Sequence, residues 1–116
     1  MSNVKLTVGG AFEGEASHRF IDAWHRAEHG ENFHERHLSF ESWEALARVL
    51  TGKRMELLRY VRRNNITSIR ALAKALDRDY SNVHADVKAL AGAGLLEATP
   101  RGVRADYDAI ETRIAI

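Results

Sequence analysis

A set of hydrogen-bonding side chains between positions 80 and 88 is the part of the chain best suited to chemistry. The spacing predicts a helix from Tyr80 to Ala93, and its apolar stripe is Val83, Val87, Leu90 and Ala91. The opposite, exposed face then carries Tyr80, Ser81, Asn82, His84, Ala85 and Lys88. Such residue types contact base edges and phosphates in a DNA major groove. The alternative is an ordinary polar surface helix.

A second predicted helix lies directly before this one. Ser68 is a suitable N-cap, and an apolar stripe follows it: Ile69, Leu72, Ala73 and Leu76. Asp77, Arg78 and Asp79 form a polar turn, in which Asp79 is the expected N-cap of the next helix. Two short helices joined in this way predict a helix-turn-helix, and Arg70 and Arg78 extend its candidate DNA-binding surface.

Two further helices are predicted upstream. Thr51 is the expected N-cap of a helix from Gly52 to about Arg63, and Ser42 is the expected N-cap of a helix from Trp43 to Leu50. Trp43 lies on the apolar face of its helix, so we expect it to pack in the core, as we do Trp24.

A β-hairpin is predicted after the second helix of the pair. Residues 95–99 and 103–107 are short strand-like runs on either side of Pro100 and Gly102. A hairpin directly after a recognition helix is the wing of a winged helix-turn-helix. Arg101 and Arg104 lie at its tip, where arginines reach phosphates or a minor groove; the alternative is a turn kept soluble by charge.

Strands are predicted near both ends of the sequence. Residues 4–8 and 110–116 alternate apolar and polar side chains. A helix is predicted over residues 13–28, and a loop or a short extended link over residues 31–38. The two strands pair either within one chain or across a dimer, and we favour a homodimer. The fold class is α+β, mostly helical, with a strand-helix extension over residues 1–38 and a winged helix-turn-helix with a C-terminal strand over residues 39–116.

Positive charge is concentrated in the proposed DNA-binding region. Residues 1–38 carry four Lys/Arg and six Asp/Glu, a balance of −2, whereas residues 53–88 carry nine and four, a balance of +5. Neutralising phosphates releases counterions, so this asymmetry favours DNA binding. Asp86 lies beside the buried stripe and is expected to hold Lys74 or Arg78 in a structural ion pair.

Several classes of function lack support in the sequence. There is no cysteine, so no disulfide, thiolate metal site or thiol nucleophile is expected. His25 and His29 have a metal-compatible i, i+4 spacing, but we expect surface roles for them and no bound metal or cofactor. Ser81 and His84 lack an orienting carboxylate, so we expect no enzyme. No apolar run is long enough for a membrane span, which favours a cytoplasmic protein without membrane contact.

Three segments together resemble a known group of proteins. Residues 50–58, 69–76 and 79–90 are similar to those of small prokaryotic predicted transcriptional regulators of the MarR-like winged-helix type, and the pattern Asn82-Val-His84-x-Asp86-Val-Lys88-x-Leu90 is the most specific part. The resemblance covers most of the chain; Gly52 stands where members often have proline. It implies a winged-helix fold, sequence-specific DNA binding and regulation of the protein's own operon. Some members look like antitoxins, which implies a cognate toxin as a partner.

The sequence therefore favours a dimeric, autoregulating repressor that binds double-stranded DNA through residues 80–88. If the antitoxin resemblance holds, the acidic region 11–38 or the terminal strands would bind the toxin. The alternative function is a protein–protein interaction module with weak or no specific DNA binding. Such a module would have no need of the basic segment over residues 53–88.

Overall fold

The computed structural model describes residues 2–9 and 34–116, which form an α+β fold of two compact units. In chain order, the described elements are β1 (Ser2–Val8), β2 (His34–Phe40), α1 (Trp43–Val49), α2 (Gly52–Arg63), α3 (Ile69–Ala75), α4 (Tyr80–Gly92), β3 (Glu97–Thr99), β4 (Gly102–Arg104) and β5 (Ala109–Ile114). One unit contains β1, β2 and β5, and the other is Ala47–Asp106. The α+β class predicted from the sequence is thereby confirmed.

The described strands of the first unit form a three-stranded parallel sheet with β1 in the centre. Its order is β2-β1-β5, and Leu6 of β1 lies opposite Leu38 of β2 and Thr112 of β5. Strand β1 is paired with another strand on each side. Parallel sheets are usually buried, and Val4, Leu6 and Val8 of β1 are at most 2% exposed. The two predicted terminal strands thus pair within one chain.

The sequence predicts a loop or a short extended link over residues 31–38, whereas His34–Phe40 is a paired strand, β2. Its polar sequence has no alternation, and its backbone is instead ordered by pairing with β1 along its whole length. The predicted helix over residues 13–28, with Trp24, His25 and His29, lies outside the described residues. Tyr107–Ile116 groups with the N-terminal strands, whereas the sequence prediction placed it with residues 39–116.

The helices begin where the predicted N-caps lie. The side-chain oxygens of Ser42, Thr51 and Ser68 accept hydrogen bonds from the amides of residues 45, 54 and 71 at 3.2, 3.3 and 3.0 Å. Asp79 accepts from the Asn82 amide at 3.4 Å. A cap satisfies one of the amides that a helix start leaves without an intrahelical partner. All four predicted caps are therefore confirmed.

The core of the second unit contains residues of the predicted apolar stripes of α3 and α4, together with Leu57 of α2 and residues in and before the hairpin. Its fully buried side chains include Leu57 of α2, Leu72 of α3, Val83 and Leu90 of α4, and Leu95. The antiparallel pair β3–β4 follows α4, and Val103 of β4 forms an isolated bridge with Ile66. The predicted hairpin is confirmed, with strands shorter than the predicted runs.

Trp43 departs from its expected place in the core, since 54% of it is exposed. In α1 the buried residue is Leu46, one turn further along. An amphipathic spacing shows which residues share a face, but how much of that face is covered depends on the neighbouring elements. In the short helix α1, only Leu46 is buried, and the Trp43 side chain remains largely exposed.

We expect Tyr107 to make the first unit less stable at strongly alkaline pH. Burial raises its pKa from 10.0 to about 12, and the Arg36 guanidinium, 5.9 Å from the ring centre, opposes part of that shift. A raised folded-state pKa gives stability that is complete below the unfolded pKa and is lost as pH rises through the folded one. We expect the free energy of unfolding, measured by urea denaturation, to fall from pH 10 towards 12. Tyr107→Phe should remove this decrease. If the free energy of unfolding of the variant fell with pH as steeply as that of the wild type, the decrease would not be due to Tyr107.

Candidate nucleic-acid interface

Helix α4 has one buried and one exposed face, as its sequence predicts. Val83, Val87 and Leu90 are at most 2% exposed. All six predicted contact residues of the helix are exposed: Tyr80, Ser81, Asn82, His84, Ala85 and Lys88. The helix is thus anchored by its apolar stripe and presents hydrogen-bonding groups, one methyl group and one cation to solvent.

Side chains of α3 and α4 meet at the N-terminal end of this exposed face. The Arg70 guanidinium lies 4.9 Å from the centre of the Tyr80 ring, and the Tyr80 and His84 rings are 5.8 Å apart and tilted by 39°. A cation over an aromatic face is attracted by the ring quadrupole. The contact positions a predicted basic residue of α3 beside the exposed residues of α4.

The first turn of α4 is organised by Asp79. Its carboxylate accepts from the Ser81 hydroxyl and the Asn82 amide. These two hydrogen bonds, with that from Ser81 the larger cause, lower the pKa of Asp79. The carboxylate stays charged at neutral pH and occupies the Asn82 amide, one of the amides that otherwise attract a phosphate to a helix start. Arg70, over the Tyr80 ring, is the basic side chain in contact with this end of α4.

Asp86 joins two arginines from other elements to α4. Its carboxylate oxygens lie 3.0 Å from Nε of Arg54 in α2 and 2.8 Å from Nη2 of Arg78 in the turn before α4. The three side chains are only 14–20% exposed. The pair predicted between Asp86 and Arg78 is confirmed. Arg78 is thereby engaged in holding α4 in place.

Arg54 also positions α4, and sequence reasoning missed this role. Besides Asp86, its guanidinium donates to the carbonyl oxygens of Arg48 and Val49, at 2.8 and 3.1 Å. Carbonyls at the end of a helix lack intrahelical donors, so Arg54 satisfies the end of α1 while it orients α4. Arg54 and Asp86 are 32 positions apart, and no periodic pattern relates residues at that distance.

The hairpin arginines line a groove whose lining includes no residue of α4. Arg101 and Arg104 are both exposed and line an open groove of about 610 Å³ together with Asn65, Ile66, Thr99 and Pro100. Arg104 also forms an ion pair at 3.0 Å with Asp106, in which both side chains are more than half exposed. An exposed pair of this kind is weak and can exchange for another anion.

The structure thus divides the ten predicted contact residues into three groups. Arg70 adjoins the exposed residues of α4, Arg101 and Arg104 share the hairpin groove, and Arg78 is bound to Asp86. Within residues 2–9 and 34–116, no cluster of three or more His, Cys, Asp or Glu side chains suits a metal ion. No helix in those ranges is long and apolar enough to cross a membrane.

Comparisons with known proteins identify one family. No curated protein matches the chain, and no solved structure matches it either. The model of the HVO_A0114 family matches residues 49–112, which include α2, α3, α4, the hairpin and the start of β5. Because this match covers more than half of the sequence, the chain belongs to the HVO_A0114 family.

Proposed function

We propose that this protein is a sequence-specific DNA-binding transcriptional regulator that inserts α4 into the major groove. The observation that carries the proposal is the exposed polar face of α4, backed by fully buried Val83 and Leu90 and flanked by Arg70. A recognition helix needs both properties, because its contacts with bases require a rigid position and unobstructed side chains.

The second unit supports a winged helix-turn-helix. Helices α3 and α4 are joined by a short turn in which Asp77 adopts a left-handed conformation with φ of 53°. Aspartate tolerates this conformation better than most residues. In the proposed fold, the β3–β4 hairpin that follows α4 serves as the wing. The order of helix, helix, turn, helix and hairpin is that of winged-helix proteins.

Within this proposal, the exposed residues divide into two kinds of contact. Asn82 and His84 offer hydrogen bonds to base edges, and the methyl group of Ala85 suits a thymine methyl. Tyr80 and Ser81 lie beside them at the start of the helix. Arg70, Lys88, Arg101 and Arg104 supply charge for phosphates, which positions the protein without reading sequence. Arg78 acts through Asp86 by holding α4.

The biological role proposed with this activity is autoregulation as a homodimer. Two copies related by a two-fold axis would read two half-sites of an operator. A role as the antitoxin of a toxin–antitoxin pair rests on the resemblance to MarR-like regulators described above.

Fluorescence anisotropy tests the proposal directly. The protein is titrated into labelled DNA from upstream of its own gene and into a scrambled duplex, each at two salt concentrations. We expect tight, salt-sensitive binding with a preference for the upstream DNA. Equal and weak binding to both duplexes would reject a sequence-specific regulator and favour a protein-interaction module.

Two matched variants of α4 separate the proposed contacts. Lys88→Ala should weaken binding to both duplexes and reduce the slope of log K against log salt by about one unit. Asn82→Ala should leave that slope unchanged and reduce the preference for the upstream DNA by about 1–3 kcal/mol. Since both residues are exposed, neither change should alter the unfolding transition, which circular dichroism checks. Unaltered sequence preference in Asn82→Ala would refute the base contact.

A further inference from the structure

Strand β5 is an edge strand of the three-stranded sheet in the described part of the chain. It pairs with β1 on one side, in the order β2-β1-β5. Every residue of β5 except Ile110 is exposed, and Ile114 is 50% exposed. An exposed edge with apolar side chains is a template for pairing with another strand.

The backbone of β5 shows which groups face away from β1. The Ala115 amide donates to the Val8 carbonyl at 3.0 Å, so the peptide groups of residue 115 point to β1. Peptide groups alternate in direction along a strand. Those of Ile110, Thr112 and Ile114 therefore point towards the outer edge, with three N–H and three C=O groups directed there.

The sequence of this edge is complementary to itself in reverse. Around Thr112, residues 109–115 read Ala-Ile-Glu-Thr-Arg-Ile-Ala. When the segment is aligned with its own reverse, alanine is matched with alanine and isoleucine with isoleucine, while Glu111 is matched with Arg113. Antiparallel pairing of two identical strands brings these reversed sequences together.

We propose that β5 binds β5 of a second copy of this chain, antiparallel and with the two-fold axis at Thr112. The outward peptide groups then form hydrogen-bonded pairs, Thr112 with its equivalent and Ile110 with Ile114 of the other copy. Glu111 of each copy lies opposite Arg113 of the other in a non-hydrogen-bonded pair, where side chains are closest. The described strands of the two copies then form one sheet of six.

Charge favours this register over those in which the two-fold axis is moved by one residue. Moving the axis to residue 111 places two glutamates directly opposite each other, and moving it to residue 113 places two arginines opposite. Like charges in opposed positions destabilise a sheet. Glu111 lies 4.0 Å from Lys5 in its own chain, but with 57% of its side chain exposed it can accept a second cation.

The inference specifies the homodimer of the proposed function but does not depend on DNA binding, because its test measures molecular mass without DNA. Light scattering of the wild-type chain should give twice 13.1 kDa. Glu111→Arg puts positive charges opposite each other, Arg113→Glu puts negative charges opposite each other, and each variant alone should shift towards monomer. An equimolar mixture of the two should recover the dimer, because opposite charges then face each other. Glu56→Arg, an exposed change on α2, is the matched control and should stay dimeric.

A cysteine scan tests the register, since the chain has no cysteine of its own. Thr112→Cys should form a disulfide-linked dimer under mild oxidation, because opposed residues at hydrogen-bonded positions have Cα atoms about 5.5 Å apart. Ala109→Cys should not, since its equivalent lies six residues further along, about 20 Å away. A monomeric wild type, failure of the charge-reversed mixture to recover the dimer, or equal cross-linking of both cysteines would overturn the proposal.

Discussion

Replacing Gly102 with alanine is expected to lower the free energy of unfolding of the second unit by about 3–5 kcal/mol. Gly102 has a φ of +138°, a conformation that side chains rarely adopt. A Cβ atom there would lie 1.9 Å from the carbonyl oxygen of Ile66 and 3.1 Å from the Cα of Thr67. Both obstacles are backbone atoms, so no rotamer change relieves the overlap.

The overlap falls where the hairpin is attached to the rest of the second unit. The Ile66 carbonyl that would be displaced accepts the hydrogen bond of the Val103 amide at 3.0 Å. Moving it breaks the bridge and exposes Val103, which is 3% exposed. We therefore expect Gly102→Ala to lose both stability and the position of Arg101 and Arg104 beside Asn65.

Gly92→Ala is the matched control for this change. Gly92 is the last residue of α4, and apart from the adjoining helix backbone no atom lies within 4 Å of the Cβ position. Alanine in a helix gains up to about 1 kcal/mol over glycine. Denaturant unfolding should therefore show Gly92→Ala unchanged or more stable. Similar stabilities for the two variants would refute the close approach at Gly102.

Asp86→Ala is expected to cost about 2–4 kcal/mol, because it leaves two largely buried guanidinium groups without their anion. Arg54 and Arg78 have side chains 19% and 20% exposed. Nη1 of Arg78 is already buried without a hydrogen-bond partner among the described residues. Loss of the carboxylate removes the groups' charge compensation as well as two hydrogen bonds, and α4 loses its link to Arg54 of α2.

Asp106→Ala removes the same chemical group from an exposed ion pair and serves as the control. Arg104 and Asp106 are 64% and 57% exposed, and such pairs contribute at most about 1 kcal/mol. Thermal unfolding of both variants at neutral pH measures the difference. If α4 is the DNA-binding helix, Asp86→Ala should also weaken DNA binding, although Asp86 itself is directed towards the arginines. Equal stability of the two variants would contradict the role assigned to Asp86.

Local features of the fold were predictable from the sequence because they depend on residues close together in the chain. Ser68 and Asp79 cap α3 and α4 through amides only three positions away. The apolar stripe of α4 is buried because its spacing matches a helical turn. The hairpin lies where Pro100 and Gly102 interrupt two apolar runs.

Features that depend on distant residues were not predictable in this way. Strand β2 has no strand pattern of its own and is ordered by pairing with β1. Arg54 was missed because its partner Asp86 lies 32 positions away. Trp43 shares a helical face with apolar residues, yet no pattern could show that 54% of it would be left exposed.

The sequence by itself determined the helices of the second unit, their caps, the hairpin and the exposed polar face of α4. Each follows from hydrogen bonds or periodicity within a few residues. Only the tertiary structure decided that β5 lies at a sheet edge and that Asp86 joins Arg54 and Arg78. Both arrangements arise when distant segments are brought together, because burial and strand pairing depend on which surfaces meet.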